Sequence, residues 1–485
     1  MCEGRVVTRR VLLSRLGLAC GATVLAGTGL VGCAVSGAAK PESLPAVLHV
    51  PFQINVQGAP TAASTALVQQ YVDEHFNAEH PGVQAQYVHW TTGPEIPGLV
   101  AAITAGQGPY ILTTGGCDTC FPSILPFLKP LDGLLRQDNI PLSLWSSGQL
   151  ATFRYPQGLM AVPAYTAAQP YVYRQDILDE LGLTYPEPDW TYTDAVRIWQ
   201  GCVSDKGGRH RYAATLDTQP GDIGEGYFLF QGFGGAFMDA THTRCLLDQS
   251  GSIAGGEWAF DLIWNGVATN RGHWPGGELA GLWLGECVFS EGAGGTMLSA
   301  VENLGTRFKW DLIPYPRWPV RPATAVQVDF YGINAAAPRQ DIAWELFKFV
   351  TLDPGLNGFV MKLSLQEPAL LSLWDEWEAI LRATAPVLRT KAIGYWKQAA
   401  VDGYGYGVQF FRYEPIQAVQ VIDGTWADIW QHRMSVSEGF GQIVQQVDAL
   451  ETAAASAPQP ASGAQRIAAA QRERRRLARM LEAAR

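Results

Sequence analysis

The chain has 485 residues, with 35 Lys plus Arg against 45 Asp plus Glu and a net charge of −10. Its first 33 residues carry four Arg and one Glu, so the remainder stands at about −13 (−10 minus +3). That acidic excess argues against nucleic acid and acidic polymers as partners. The roughly 450 residues that follow exceed one compact domain, so two lobes with sizeable cores are expected.

Residues 1–33 read as a targeting segment and stand outside the fold. Thr8-Arg9-Arg10-Val11-Leu12-Leu13 resembles a twin-arginine export signal, and Leu16 to Gly32 is uncharged and mostly apolar. Leu30-Val31-Gly32-Cys33 resembles a lipobox, in which the small Gly32 suits cleavage and the Cys33 thiol carries the lipid. An ordinary signal peptide, or an uncleaved anchor with a chance cysteine, is the plainer alternative. Residues 34–45 are small and polar, as a tether is. No other stretch is apolar and long enough to span a bilayer. The expected location is the outer face of a cell membrane or the periplasm, anchored through Cys33.

Helical and strand patterns then alternate, which argues an α/β fold. Val47 to Val50 is a first strand, and Gln57 opens a polar turn. Ala62 to His80 is apolar at helical spacing, and Val83 to Trp90 alternates as a strand does. A helix over Leu99 to Tyr110 and a strand over Ile111 to Thr114 lead into Cys117-Asp118-Thr119-Cys120. This C-x-x-C admits a redox dithiol, a zinc site or a loop disulfide. The redox reading needs a helix opening that Pro122 cuts short, and the zinc reading needs a second ligand pair that no spacing supplies. An exported compartment permits the disulfide between Cys117 and Cys120. No cofactor is implied.

Leu159 to Val162 is a buried strand closed by Pro163, and Tyr165 and Thr166 stand where it gives way, a usual place for ligands on an α/β scaffold. Tyr171-Val172-Tyr173 is a second strand, Asp176 to Leu181 a helix stopped by Gly182, and Trp190 to Trp199 opens another capped by Thr or Asp. Gln231 to Asp239 is a Gly-rich turn without dinucleotide spacing. Trp274 and Trp283 lie in Gly/Pro-rich loop sequence, where ligand stacking competes with burial. Glu302 and Asn303 follow the run from Phe289 to Ser299. Asp329 and Tyr331 belong to a strand from Val326 to Asn334, and Phe411 and Tyr413 precede a helix from Ile416 to Trp430. Ala464 to Arg485 is a basic, one-sided helical pattern, read as a solvated end or a contact for anionic lipid.

Several of these runs, in this order, resemble the extracellular solute-binding proteins of bacterial ABC importers, family 1, sugar-binding type. They are Phe76-Asn77-Ala78-Glu79-His80-Pro81-Gly82-Val83, Leu128-Lys129-Pro130-Leu131-Asp132, Leu181-Gly182-Leu183 with Trp190, Phe289 to Met297, and Ala343 to Phe349. The resemblance spans about 46–451. It implies a two-lobe, type II periplasmic-binding-protein-like fold, with hinge crossings around a ligand cleft. Lobe one is then 46–163 with 326–373, lobe two 164–325 with 374–451, and 452–485 a linker and basic helix. From the residues and the resemblance together, the candidate ligand contacts are Gln57, Asp118, Tyr165, Thr166, Trp274, Trp283, Glu302, Asn303, Asp329, Tyr331, Phe411 and Tyr413. The family's cleft Trp after Met297 is replaced here by Ala300-Val301-Glu302-Asn303.

Three classes of function compete. A binding protein would capture a small polar solute, a sugar above all, and hand it unaltered to an ABC permease. A glycosidase needs two facing carboxylates, and Asp222, Glu225, Glu286 and Glu302 show no pairing spacing. A surface receptor would show repeats or a second module, and neither is visible. The reading adopted is the first, without enzymatic activity; glycerol phosphate and peptide remain alternative solutes.

Overall fold

The computed structural model describes residues 47–456 apart from 55, 57–61, 90–94, 115–119, 169, 207, 217–222, 271, 278, 293, 328, 387, 389–392, 395–396, 398–404 and 407–410. The segment expected to be an export signal, Cys33, Gln57, Cys117, Asp118 and the basic terminal stretch thus lie outside the described residues. So does the side chain of Cys120. Among the described residues no helix is long and apolar enough to cross a membrane.

Strand β1 (Leu48–Gln53) pairs in parallel with β2 (Val83–Val88), Leu48 opposite Val83 through Gln53 opposite Val88. Between them run helix Ala62–Val72 and a π-helical turn Asp73–Asn77. The alternation expected of β2 holds, with Ala85 and Tyr87 buried and Gln86 exposed. β3 (Ile111–Leu112) comes next, its start tied to β1 by the Tyr110 N–H donating to the Pro51 carbonyl at 2.7 Å.

After β4 (Val162–Pro163) and β5 (Ala167–Ala168) the chain enters a second sheet through β6 (Tyr171–Arg174). That six-stranded sheet adds β7 (Arg209–Thr215), β8 (Ala268–Thr269), β9 (Cys287–Glu291) and β10 (Trp310–Ile313), in the order β8-β7-β9-β6-β10, with Ser204–Lys206 hairpinned on β7. Strands β7, β8 and β9 are mutually parallel and β6 runs against β9 and β10. The chain returns through β11 (Thr324–Gln327) and β12 (Phe330–Ile333). β12 lies antiparallel between β3 and β4, and β11 pairs β5. Later β13 (Gly405–Tyr406) pairs β11 in parallel.

Helix Tyr192–Cys202 begins on the cap read from sequence. Thr191 accepts from the Asp194 N–H at 3.2 Å while the Asp194 carboxylate accepts the Thr191 N–H at 3.0 Å. The Gly-rich turn has a packing reason as well. Gly234 sits at φ +85°, and a Cβ on Gly251 would lie 2.3 Å from the Gly235 nitrogen. The obstruction is backbone and cannot rotate away. Gly251→Ala is therefore expected to destabilise by about 1–3 kcal/mol, read as a lower thermal midpoint; an unchanged midpoint would mean the helix slides freely.

One core collects Val50, Phe76, Leu112, Val162, Phe330 and Phe347, and continues to one face of the second sheet at Val172, Leu282, Met297 and Leu312. A second core on that sheet's other face holds Tyr171, Trp190, Trp199, Phe228 and Phe289. A third joins helices Pro415–Trp430 and Val436–Ser456 to Phe230, Phe237 and Phe260. Helix Trp374–Thr384, read from sequence as part of lobe two, buries Trp374, Trp377 and Leu381 in the first core.

Candidate functional site

Parallel strands bring their C-terminal ends to one edge, and in open α/β sheets that edge is where ligands bind. On the first sheet the edge carries Gln53 at the end of β1, Thr113 and Thr114 beyond β3, and Ala164-Tyr165-Thr166 beyond β4. Asp329 stands at the start of the antiparallel β12, on the same edge by register. On the second sheet the edge carries Thr215, Thr269, Ser290 and Glu291, with Tyr171 entering and Tyr315 leaving beside them. In chain order β5 lies between β4 and β6, and β11 between β10 and β12; the two pair, with β13 on β11.

Nearly all of these polar groups are buried, and hydrogen bonds hold many in place. The Gln53 amide donates to the His89 carbonyl at 3.1 Å and accepts from the Thr113 N–H at 3.0 Å. Thr166 Oγ1 donates to Gln149 Oε1 at 2.9 Å. On the second sheet Tyr315 Oη donates to Glu291 Oε1 at 2.9 Å. Thr215 Oγ1 accepts the Glu291 N–H at 2.8 Å and lies 3.3 Å from Ser290 Oγ. The Tyr171 hydroxyl donates to the Thr215 carbonyl at 3.3 Å.

Among the described residues, Thr113 Oγ1, Thr114 Oγ1 and Gln149 Nε2 are buried without a hydrogen-bond partner. Buried polar atoms are normally paired, so a group of them at one edge needs a reason, and a hydroxyl-bearing solute supplies it. Glu367 is a further case. It is fully buried, both carboxyl oxygens lack a partner among the described residues, and burial raises its pKa well above the ordinary carboxyl range.

The residues expected from sequence divide in two. Tyr165, Thr166, Asp329 and Tyr331 come together at the first edge. Tyr165 is 0% and Asp329 1% exposed, and the Asp329 carbonyl accepts the Ala164 N–H at 2.9 Å. Others stand elsewhere. Trp274 is buried against Tyr212, Ala280 and Cys287, its Nε1 donating to Glu286 Oε2 at 2.9 Å. That is the starting end of β9, about 13 Å of strand away from Glu291. Trp283 packs half-buried on the short helix Ala280–Leu284 beside that cluster. Glu302 is exposed and Asn303 back-bonds to the Ser299 carbonyl at 2.9 Å, both at the C-terminal end of helix Gly294–Asn303. A strand's C-terminal end feeds the N-terminus of the next helix, so these two lie at the far end.

Phe411 belongs to the third core, 5.4 Å from Phe237 ring to ring. Tyr413 is half-buried, its N–H held by Glu451 Oε2 at 3.0 Å. Sequence reading missed Gln53, Thr113, Gln149, Thr215, Glu291, Tyr315 and Glu367. A polar residue closing an apolar strand was the available signal. Buried Cys202, Cys245 and Cys287 are free thiols raised by burial, Cys202 and Cys245 to about 12. Among the described residues no group of three His, Cys, Asp or Glu could hold a metal ion.

Residues 58–216 match the model of the family described as bacterial extracellular solute-binding protein. No curated protein matches the chain. Among solved structures, the cyclic alpha-maltosyl-1,6-maltose binding protein of Arthrobacter globiformis is similar at 18% identity and a TM-score of 0.66, covering 84% of this chain and 99% of that one. An ABC substrate-binding protein of Listeria monocytogenes in complex with cycloalternan is similar at 12% identity and 0.65, with the same coverage. A sugar transporter of Rhizobium etli in an open conformation follows at 18% and 0.64, covering 83% and 99%. The fold is thus the type II two-lobe one, with lobes joined by hinge crossings around a ligand cleft. Residues 58–216 thus resemble the bacterial extracellular solute-binding proteins, and the chain shares the fold of these solved structures over most of its length.

Proposed function

We propose that this protein is the substrate-binding lipoprotein of an ABC importer, capturing a mono- or oligosaccharide by cleft closure and delivering it unaltered to a membrane permease. The observation that carries the reading is the set of buried polar side chains at the strand ends of both sheets, several of them unpartnered among the described residues. Hydroxyls of a sugar satisfy such groups from both lobes at once, and a ligand that touches both lobes shifts the population toward the closed form. The glucan-type ligands named for the similar structures favour an α-linked glucose oligosaccharide first.

In this reading the lobes divide near 163 and 326, Asp118 and Gln57 add contacts from their loops, and Cys33 carries the lipid that holds the protein at the membrane face. The protein has no turnover, because its role ends with release. Calorimetric titration against a panel of maltooligosaccharides and cyclic tetrasaccharides should show saturable binding with a negative heat-capacity change, and the sugar should be recovered intact. Hydrolysed sugar, or no binding across the panel together with binding of glycerol phosphate or a peptide, would overturn it.

A further inference from the structure

Helix Pro354–Ser364 ends on Leu365, a non-glycine residue in the left-handed region at φ +55°. The chain turns there into Gln366-Glu367-Pro368. Pro368 bridges Tyr165 in an isolated antiparallel contact, which seats this loop directly on the first hinge crossing. Trp377 Nε1 donates to the Leu365 carbonyl at 2.9 Å and holds the loop from behind. Glu367 lines a small cavity together with Ile54, Ala164, Tyr331, Leu356 and Asn357, with room for about one water molecule.

The groups around this carboxyl are almost all uncharged. Of the cavity's lining side chains only Tyr331 and Glu367 can titrate. On the crossings, Tyr165 follows the lining Ala164 and Asp329 stands two residues before the lining Tyr331, and both are buried. On the packed helix, Asp353 caps the Leu356 N–H at 2.6 Å and accepts from Tyr71 at 3.2 Å, while Lys362 lies 3.7 Å from Glu376. No cation among them faces Glu367, so an ionised carboxylate has nothing to pair with in place.

We propose that Glu367 makes the seating of this loop on the hinge proton-dependent: seated, it is a neutral carboxylic acid, and once ionised it favours a lifted loop in which the side chain reaches water. Burial raises the group, so the seated state holds a proton that the lifted state releases. Seating is then fully favoured below the ordinary carboxyl range. It weakens as pH climbs from there to the seated value, by up to tenfold per pH unit. The consequence for solute retention rests on the importer reading; the seating itself does not.

The test is hydrogen–deuterium exchange of the full chain over 164–168 and 365–370 from pH 5 to 9, corrected for the chemical exchange rate. Wild type should open progressively as pH rises, and Glu367→Gln should be flat. Infrared pH-difference spectra of wild type should show a protonated-carboxyl band lost over the same interval, which serves should the variant misfold. Flat wild-type exchange, or Glu367→Gln opening with the wild-type slope, overturns the proposal. Maltooligosaccharide affinity should fall with pH in wild type only. If no sugar binds at any pH, the importer reading fails while the exchange result still decides the latch.

Discussion

Replacing Trp377 by alanine should produce the largest loss of stability of any single change considered for this protein. The indole is fully buried in the first core, lies 5.2 Å from Trp374 ring to ring, and donates to the Leu365 carbonyl. Truncating a buried tryptophan leaves a cavity and costs about 3–5 kcal/mol. For a cooperative unit of this size that is a fall in the thermal midpoint of roughly 3–6 °C. Trp377→Phe keeps most of the volume and leaves only the Leu365 carbonyl unsatisfied, so it should cost about 1–3 kcal/mol. The pair separates packing from loop anchoring: exchange over 365–370 should rise in both variants, whereas the large fall in midpoint belongs to alanine. Equal midpoints for the two would show that the ring contributes little.

Glu291→Gln should weaken carbohydrate binding about tenfold while leaving the thermal midpoint nearly unchanged, and Glu291→Ala should weaken it about a hundredfold. A carboxylate accepts a hydroxyl about twice as strongly as a neutral group does, which accounts for the first step. Glutamine keeps an oxygen for the Tyr315 hydroxyl, so the local frame of Thr215, Ser290 and Tyr315 survives. Alanine removes the acceptor altogether and takes away the hydrogen bond from the Tyr315 hydroxyl. Tyr315→Phe is the control, since it removes that partner and leaves Glu291 in place. Calorimetry with the tightest sugar of the panel reads all three; wild-type affinity in Glu291→Ala would remove this residue from the site.

Much of the architecture follows from local pattern. The alternation of β2, the run closed by Pro163, the Thr191 cap and the Gly182 stop each encode their element within a few residues, and hydrophobic period survives any tertiary setting. The first crossing was legible for the same reason: a buried strand that ends on proline must hand its chain to something else. The second and third were harder. β11 carries no strong period, and helix Trp374–Thr384 shows an apolar face without saying which core receives it.

By itself, then, the amino-acid order determined an α/β chain and the place where it first passes between two sheets. Only the tertiary structure decided which polar side chains meet. Thr113, Thr215, Glu291 and Glu367 are far apart in the chain, and the parallel pairing of β7 with β9 is what puts Thr215 and Glu291 at one end of their sheet. It also decided that Trp274 is packing: an aromatic in a Gly/Pro-rich stretch looks available until Gly281, whose Cβ would stand 2.6 Å from that ring, shows the space already filled. Local sequence sets conformational preference over a few residues, whereas burial and convergence depend on contacts between segments hundreds of residues apart.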